Sequence, residues 1–121
     1  MNILNATFAR GLSPLCIAVV KNKTKTNIEN LEFVWLAKAD FPVKIKKIKK
    51  GDFKREGMGN LANGIAPLMM YYTDSSNIKH KYTILEELEG FRQRLICVSI
   101  TAINEDGGLT YDVDPKYEPA F

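Results

Sequence analysis

The feature that most constrains this chain is the two-residue alternation in "RLICVSITAI", residues 94–103. Successive side chains of a β-strand point to opposite faces, so Ile96, Val98 and Ile100 share one face while Cys97 falls on the other. The isoleucine–valine face is the more apolar and is predicted to point into the core. The stretch is therefore predicted to be a strand.

Several other stretches have similar strand-like apolar patterns and are separated by turn-forming residues. Asp106-Gly107 is a strong hairpin signal, and the strand after it should pair back on residues 94–103. By contrast, "LEELEG", residues 85–90, is interpreted as one helical turn ended by Gly90. Further strands are predicted in "PLCIAVV" from Pro14, "LEFVWL" from Leu31, "IAPLMMYY" from Ile65, "IKHKYTI" from Ile78 and "LTYDV" from Leu109.

Residues 42–50 fit two structures. Val43 and Ile45 alternate with lysines as in an edge strand, whereas Ile48 lies three residues after Ile45, as on a helix. The β-branched residues favour a strand with a bulge or bend over a short helix. In all, about seven short strands predict an all-β fold, a two-sheet antiparallel β-sandwich. A small β-barrel is the alternative.

The size and composition of the chain are those of an ordinary globular protein. Its 121 residues are 45% hydrophobic and 26% charged, which predicts one domain, residues 1–121, with a sizeable core. No run approaches the roughly 20 apolar residues of a membrane span. The N-terminus does not resemble a secretory signal. The protein is therefore expected in the cytoplasm if the chain is full length, and secreted if a leader has been removed.

The basic residues are concentrated in residues 43–55, which we call the basic ribbon. It holds seven Lys or Arg and one Asp, a net charge of +6 in a chain of +3, so the other residues together carry −3. Such a ribbon could neutralise the phosphates of a nucleic acid or meet an acidic protein. Lysines on an exposed edge strand also prevent other strands from docking. Only Phe41 and Phe53 flank the ribbon as candidates for base stacking.

Part of the chain resembles a known family. Val20-Lys21-Asn22, then the run Leu31 to Leu36, then "IKKIKKGD" from Ile45 to Asp52 are similar to immunoglobulin-like β-sandwich modules of the bacterial cell-adhesion-related (CARDB) kind. The similarity covers roughly the first third of the chain. It implies an immunoglobulin-like sandwich that binds or spaces other proteins, and it implies no catalytic residues.

The order Cys16, Trp35, Cys97 is also that of the disulfide-pinned core of antibody domains. Side-chain alternation argues against a disulfide between Cys16 and Cys97. Cys97 alternates away from the apolar face of its strand, and Cys16 alternates away from Ile17 and Val19. Two outward side chains cannot meet across a core, so both cysteines are predicted to be reduced thiols.

No catalytic arrangement is evident. His80, the only histidine, falls on the face of a predicted strand with Tyr82 and Ile84 and is interpreted as a half-buried core residue. A small hydrolase built on Glu86, Glu87 or His80 is the weakest of three functional hypotheses. The acidic residues that cluster with or after them, Glu89, Glu105, Asp106, Asp112 and Asp114, are assigned to loops and surfaces. Neither a cofactor nor a metal site is predicted.

The favoured hypothesis is a non-enzymatic module for protein–protein interaction or assembly, with a protein partner of unknown identity. The alternative is a polyanion-binding protein that holds nucleic acid on the basic ribbon. Self-association through an edge strand would give a homo-oligomer. The predicted contact residues are Lys46, Lys47, Lys49, Lys50, Tyr117 and Phe121.

Overall fold

A computed structural model of the chain describes residues 16–58, 64–90 and 94–117. These residues form eight strands and one short 3-10 turn, Leu36–Lys38, which follows the second strand. The strands are β1 (Cys16–Asn22), β2 (Ile28–Trp35), β3 (Val43–Ile48), β4 (Phe53–Met58), β5 (Ile65–Thr73), β6 (Lys79–Glu89), β7 (Arg94–Ile103) and β8 (Leu109–Asp114).

The strands make two four-stranded sheets. The first sheet has the order β4-β1-β7-β8 and the second the order β3-β2-β5-β6. All neighbours are antiparallel except β1 and β7, which are parallel. The prediction of an all-β, two-sheet sandwich is confirmed, with eight described strands where about seven were expected. The described strands form two separate sheets and not the closed barrel of the alternative.

The core lies between the two sheets and is almost wholly aliphatic and aromatic. Phe33 and Leu68 of the second sheet are buried with Ile96 and Val98 of the first. Each fully buried side chain of this size stabilises the fold by about 1.5–3 kcal/mol. The one polar group of Trp35 is also satisfied, because its indole N–H donates to the Leu88 carbonyl oxygen at 3.0 Å.

The helical turn predicted at residues 85–90 is wrong, because β6 continues through them to Glu89. Leu85 and Leu88, three residues apart, are both buried, and this spacing imitated a helix. The strand can bury both leucines because its pairing is irregular, with the register between β5 and β6 shifting on either side of Leu68. Pro67 lies within this irregular stretch, and proline cannot donate a ladder hydrogen bond.

Residues 43–48 form a strand, as the sequence favoured, and not a short helix. Ile45 and Ile48 are both buried although strict alternation would separate them. The pairing of β3 with β2 runs from Ile28↔Ile48 to Phe33↔Val43 without a register shift, so no bulge is present there. Instead, Asn30 on β2 has a φ of 62°, a left-handed conformation that changes the direction of the paired strands β2 and β3 locally.

The predicted face of Cys16 is wrong, whereas its predicted redox state is confirmed. Cys16 is fully buried and belongs to the core with Ala18 and Val20. Strand β1 lies between two neighbours and is largely buried on both faces, so its hydrophobicity did not distinguish inside from outside. Cys97 lies on the outer face of its sheet, as predicted, beside Val19 of β1. It is nevertheless buried, with 4% of its surface exposed. Both are free thiols, on opposite faces of one sheet.

One buried residue, Asn22, joins two of the connections that cross between the sheets, the one from β1 to β2 and the one from β3 to β4. Its amide nitrogen donates to the carbonyl oxygens of Thr26, at 2.8 Å, and Ile48, at 2.9 Å. Its side-chain oxygen accepts from the Thr24 amide at 3.0 Å. Its backbone bonds the end of the β3–β4 connection, because the Asn22 N–H donates to the Asp52 carbonyl and the Asn22 carbonyl accepts from the Gly51 N–H. We call this set of bonds the Asn22 clamp.

We predict that Asn22→Ala lowers the free energy of unfolding by about 2–3 kcal/mol, because it removes the buried hydrogen bond to the Ile48 carbonyl together with the bonds to Thr24 and Thr26. Urea denaturation followed by fluorescence measures the change. The control is Asn27→Ala, which removes one exposed bond to the Lys50 amide and should cost about 0.5–1 kcal/mol. Equal losses in the two variants would contradict the clamp.

The thiols supply a second test. Burial raises the pKa of the Cys16 thiol to about 11, and Cys97 is also buried. Both should react slowly with a thiol reagent in the native protein, since the thiolate is the reactive form. Denaturation without reductant should then release two thiols per chain. Fewer than two would mean that a cysteine is oxidised, against the structure.

Candidate functional site

The basic ribbon lies along one lateral side of the sandwich. Strand β3 is the edge of the second sheet and β4 is the edge of the first, and the two edges lie next to each other. Between them runs a groove with a volume of about 510 Å³. We call this groove and its lysines the basic edge; the lysines that line it are Lys44, Lys46, Lys47, Lys49 and Lys54.

The register of β4 explains how Lys54 enters the groove. Lys54 pairs with Val20 and Glu56 pairs with Ala18. Paired residues of neighbouring strands point to the same face, and Val20 and Ala18 face the core. Lys54 and Glu56 therefore point toward the gap between the sheets, where it opens to solvent at the edge. Alternation along the ribbon did not reveal this convergence, because it depends on which sheet β4 joins.

The basic edge contains two carboxylates and is only weakly neutralised. Asp52 and Glu56 line the groove with the five lysines. The one ion pair that involves its lysines among the described residues joins Lys47 to Glu29 at 4.0 Å, with both side chains about half exposed. Such an exposed, long pair contributes little to stability. The edge therefore keeps a net positive charge available to a ligand.

The structure brings together only part of the predicted contact set. Lys46, Lys47 and Lys49 line the groove, whereas Lys50 lies in the turn beyond it. Tyr117 lies on the first sheet, where its N–H donates to the Leu95 carbonyl at 2.9 Å. Phe121 lies outside the described residues.

Tyr117 is engaged within the chain. The Lys21 ammonium lies 5.0 Å from the centre of the Tyr117 ring. A hydrogen bond with Tyr117 raises the pKa of Lys21. Lys21 pairs with Ser99 on the outer face of the first sheet, so this contact is separate from the basic edge. Tyr117 is therefore not part of one surface with the groove lysines.

The opposite lateral side of the sandwich carries a group of exposed carboxylates, although Lys79 and Lys81 are also exposed at the start of β6. Strand β6 ends the second sheet there and β8 ends the first. Glu86 and Glu87 are exposed on β6, and Asp112 and Asp114 are exposed on β8. We call these four residues the acidic edge. The acidic edge was not predicted from the sequence, because residues 85–90 were assigned to a helical turn and not to an edge strand.

His80 is hydrogen-bonded to the Asp74 carboxylate near the tip of the β5–β6 hairpin. Its Nε2 lies 2.7 Å from Asp74 Oδ2, and only 18% of the His80 side chain is exposed. The other carboxylate oxygen of Asp74 accepts from the amides of Ser76 and Ile78. The His80 ring also stacks on Tyr72 at 6.1 Å. The prediction of a half-buried histidine therefore holds, but the sequence did not identify its carboxylate partner.

The β7–β8 hairpin packs against this pair. Gly107 has a φ of 90°, and a Cβ at this position would overlap the Asp74 carboxylate. A Cβ on Gly108 would lie 3.5 Å from His80 Nδ1, so the second ring nitrogen faces main chain. Tyr82 completes the contact, because its hydroxyl oxygen accepts the Leu109 N–H at 2.7 Å. The pair therefore joins two hairpins from opposite sheets.

The residues of the hydrolase hypothesis are not brought together. His80 and Glu86 lie on the same strand six residues apart, a separation of roughly 20 Å. No group of three or more metal-ligating side chains occurs within the described ranges. In the same parts of the chain, no helix is long and apolar enough to cross a membrane.

Comparison with known proteins bears on the fold alone. The chain is similar to the NMR structure of a protein from Eubacterium rectale, with a TM-score of 0.54 and 14% sequence identity over 91% of this chain and 94% of that one. At this identity the likeness concerns the course of the backbone. No protein-family model and no curated protein matches the chain.

The Asp74–His80 pair predicts acid sensitivity. The hydrogen bond from His80, and then those from the Ile78 and Ser76 amides, lower the pKa of Asp74 below its usual 3.8. A depressed pKa in the folded state stabilises the fold above the unfolded pKa, and this contribution is lost as the pH falls through the folded value. Stability should therefore decrease as the pH falls below about 4.

Asp74→Asn should flatten this part of the pH profile, since the variant has no carboxylate to titrate. Thermal melts across the acidic range measure the effect. Asp112→Asn, an exposed position on β8, is the matched control and should keep the wild-type slope. A profile for Asp74→Asn that parallels the wild type would show that the pair is not linked to folding.

Proposed function

We propose that this protein is a non-enzymatic binding module whose basic edge holds an acidic segment of a protein partner. The observation that carries the proposal is the convergence on one groove of five lysines from two adjacent edge strands and the turn that joins them. An edge strand presents unpaired backbone N–H and C=O groups, and an extended peptide can pair with them. The lysines would then select acidic side chains on that peptide.

The composition of the groove favours a peptide over a nucleic acid. Asp52 and Glu56 stand among the lysines and would repel a continuous line of phosphates. Binding of single strands usually also needs aromatic side chains on which bases stack. The described residues that line the groove include no aromatic side chain. Polyanion binding through the basic ribbon is the second candidate, supported by the net charge of the ribbon.

The immunoglobulin-like resemblance is part of this proposal and has support in the strand order. Immunoglobulin domains pair strands B and E in one sheet and strands C, F and G in the other. Here β1 pairs with β4, and β2, β5 and β6 are neighbours in the second sheet. Trp35 on β2 would take the place of the buried tryptophan of strand C. Modules of this class commonly act by contact with other proteins.

The surroundings of His80 support a non-catalytic role. Acid–base catalysis needs a histidine nitrogen within reach of a reacting proton. Nε2 of His80 is bound to Asp74, and Nδ1 faces the backbone of Gly108. Nε2 is thus occupied by Asp74, and the Gly108 backbone lies close to Nδ1.

The test uses a fluorescent peptide of alternating Glu and Val as the probe, with a Gln-Val peptide of equal length for comparison. The native protein should bind the acidic peptide in a salt-dependent way, because exposed charge pairs are screened. The Lys47→Glu/Lys54→Glu variant should bind at least about tenfold more weakly, a loss of about 1.4 kcal/mol.

The matched control is Lys38→Glu/Lys116→Glu, which changes the net charge equally at exposed positions away from the groove. It should keep the wild-type affinity within about twofold. Equal weakening in the two variants, or no binding of the acidic peptide at all, would overturn the proposal. If a single-stranded oligonucleotide displaces the peptide and binds more tightly, the polyanion candidate replaces it.

A further inference from the structure

The two edge strands of the second sheet carry the same burial pattern with opposite charges. On β3, Ile45 and Ile48 are buried on either side of two exposed lysines, Lys46 and Lys47. On β6, Leu85 and Leu88 are buried on either side of two exposed glutamates, Glu86 and Glu87. The four-residue segments "IKKI" and "LEEL" therefore match in shape and are complementary in charge.

From this match we propose that copies of this chain join head to tail, with β3 of one copy beside β6 of the next. The inference rests on the proposed function in that the basic edge is the binding surface; here its occupant is a second copy. The directions of the strands allow the pairing. Along β3-β2-β5-β6 each neighbour is antiparallel, so β3 and β6 run in opposite directions and a translated copy pairs antiparallel.

An antiparallel register then aligns all four positions. Ile45 faces Leu88, Lys46 faces Glu87, Lys47 faces Glu86 and Ile48 faces Leu85 of the next copy. Directly opposed residues in antiparallel strands have Cβ atoms about 4.5–5.5 Å apart, which suits both ion pairs and apolar contacts. Within the described residues, no ion pair of 4.0 Å or less involves Lys46, Glu86 or Glu87, so these side chains are available.

Charge also selects this pairing over symmetric ones. Two copies that met through β3 would oppose lysines to lysines, and two that met through β6 would oppose glutamates to glutamates. Like charges directly opposite each other destabilise a strand pair. Each edge is therefore protected against itself but open to the other, which makes the contact heterologous and able to repeat.

The register also predicts the form of the assembly. Within one copy Ile45 lies level with His80, through Leu31 and Tyr72. Leu88 lies eight residues further along β6, so the neighbour is displaced by roughly 25 Å along the strands. Successive copies would make a stepped chain and not a flat continuous sheet.

The experiment measures mass by sedimentation velocity at low salt over a range of protein concentration. The weight-average mass of the wild type should rise at least about twofold as the protein concentration increases, because an open chain passes through dimers. The variants Lys46→Glu/Lys47→Glu and Glu86→Lys/Glu87→Lys should each remain monomeric. An equimolar mixture of the two should assemble again, since one then has two acidic edges and the other two basic edges.

The variant with all four reversals in one chain should also assemble, because its edges are again complementary. Lys38→Glu/Lys116→Glu, with circular dichroism to confirm folding, should assemble as the wild type does. A wild type that stays monomeric, or no rescue in the mixture and the fourfold variant, would overturn the inference. The acidic-peptide assay separates the two proposals. Peptide binding without self-assembly would overturn only the inference that copies join head to tail. Self-assembly without peptide binding would overturn only the proposal that the basic edge binds an acidic segment of another protein.

Discussion

The Asn22 carboxamide is the contact on which the arrangement of the edges depends. Two of the sheet-crossing connections, between β1 and β2 and between β3 and β4, meet at this side chain, which is 1% exposed. It bonds the start of one connection to Thr26 and to Ile48 at the end of β3. Because β3 and β4 belong to different sheets and do not pair with each other, these bonds help to hold one edge beside the other. The groove of the basic edge is the result.

The charges of the molecule are then divided between its two lateral sides. Lysines line the β3–β4 side, and the exposed carboxylates Glu86, Glu87, Asp112 and Asp114 lie on the β6–β8 side. Charged side chains on edge strands are a known protection against uncontrolled pairing. Opposite signs on opposite edges protect each edge from its own kind and leave one complementary pairing. The same side chains can thus prevent aggregation and specify a partner.

Much of the fold could be predicted from local pattern, since period-two alternation identifies β7 and the lysine-rich β3. The errors occurred where tertiary contacts override alternation. Leu85 and Leu88 are both buried because pairing near Pro67 is irregular. The face of Cys16 was mispredicted because β1 is largely buried on both faces, so hydrophobicity alone did not show which face points into the core. The basic edge was predicted only as a ribbon, since the position of Lys54 depends on the sheet that β4 joins. No local signal paired Asp74 with His80, because that contact forms across a hairpin.

Amide hydrogen exchange tests the Asn22 clamp most directly. The Gly51 N–H donates to the Asn22 carbonyl, and the Asn22 N–H donates to Asp52, both at 2.9 Å. If the clamp holds the two connections together, these amides should exchange nearly as slowly as those of the central strand β1, although they lie in or beside a turn. Exchange of the Gly51 amide at the rate of an unprotected loop would show that the connections separate in solution. That result would contradict the account of how the basic edge is formed.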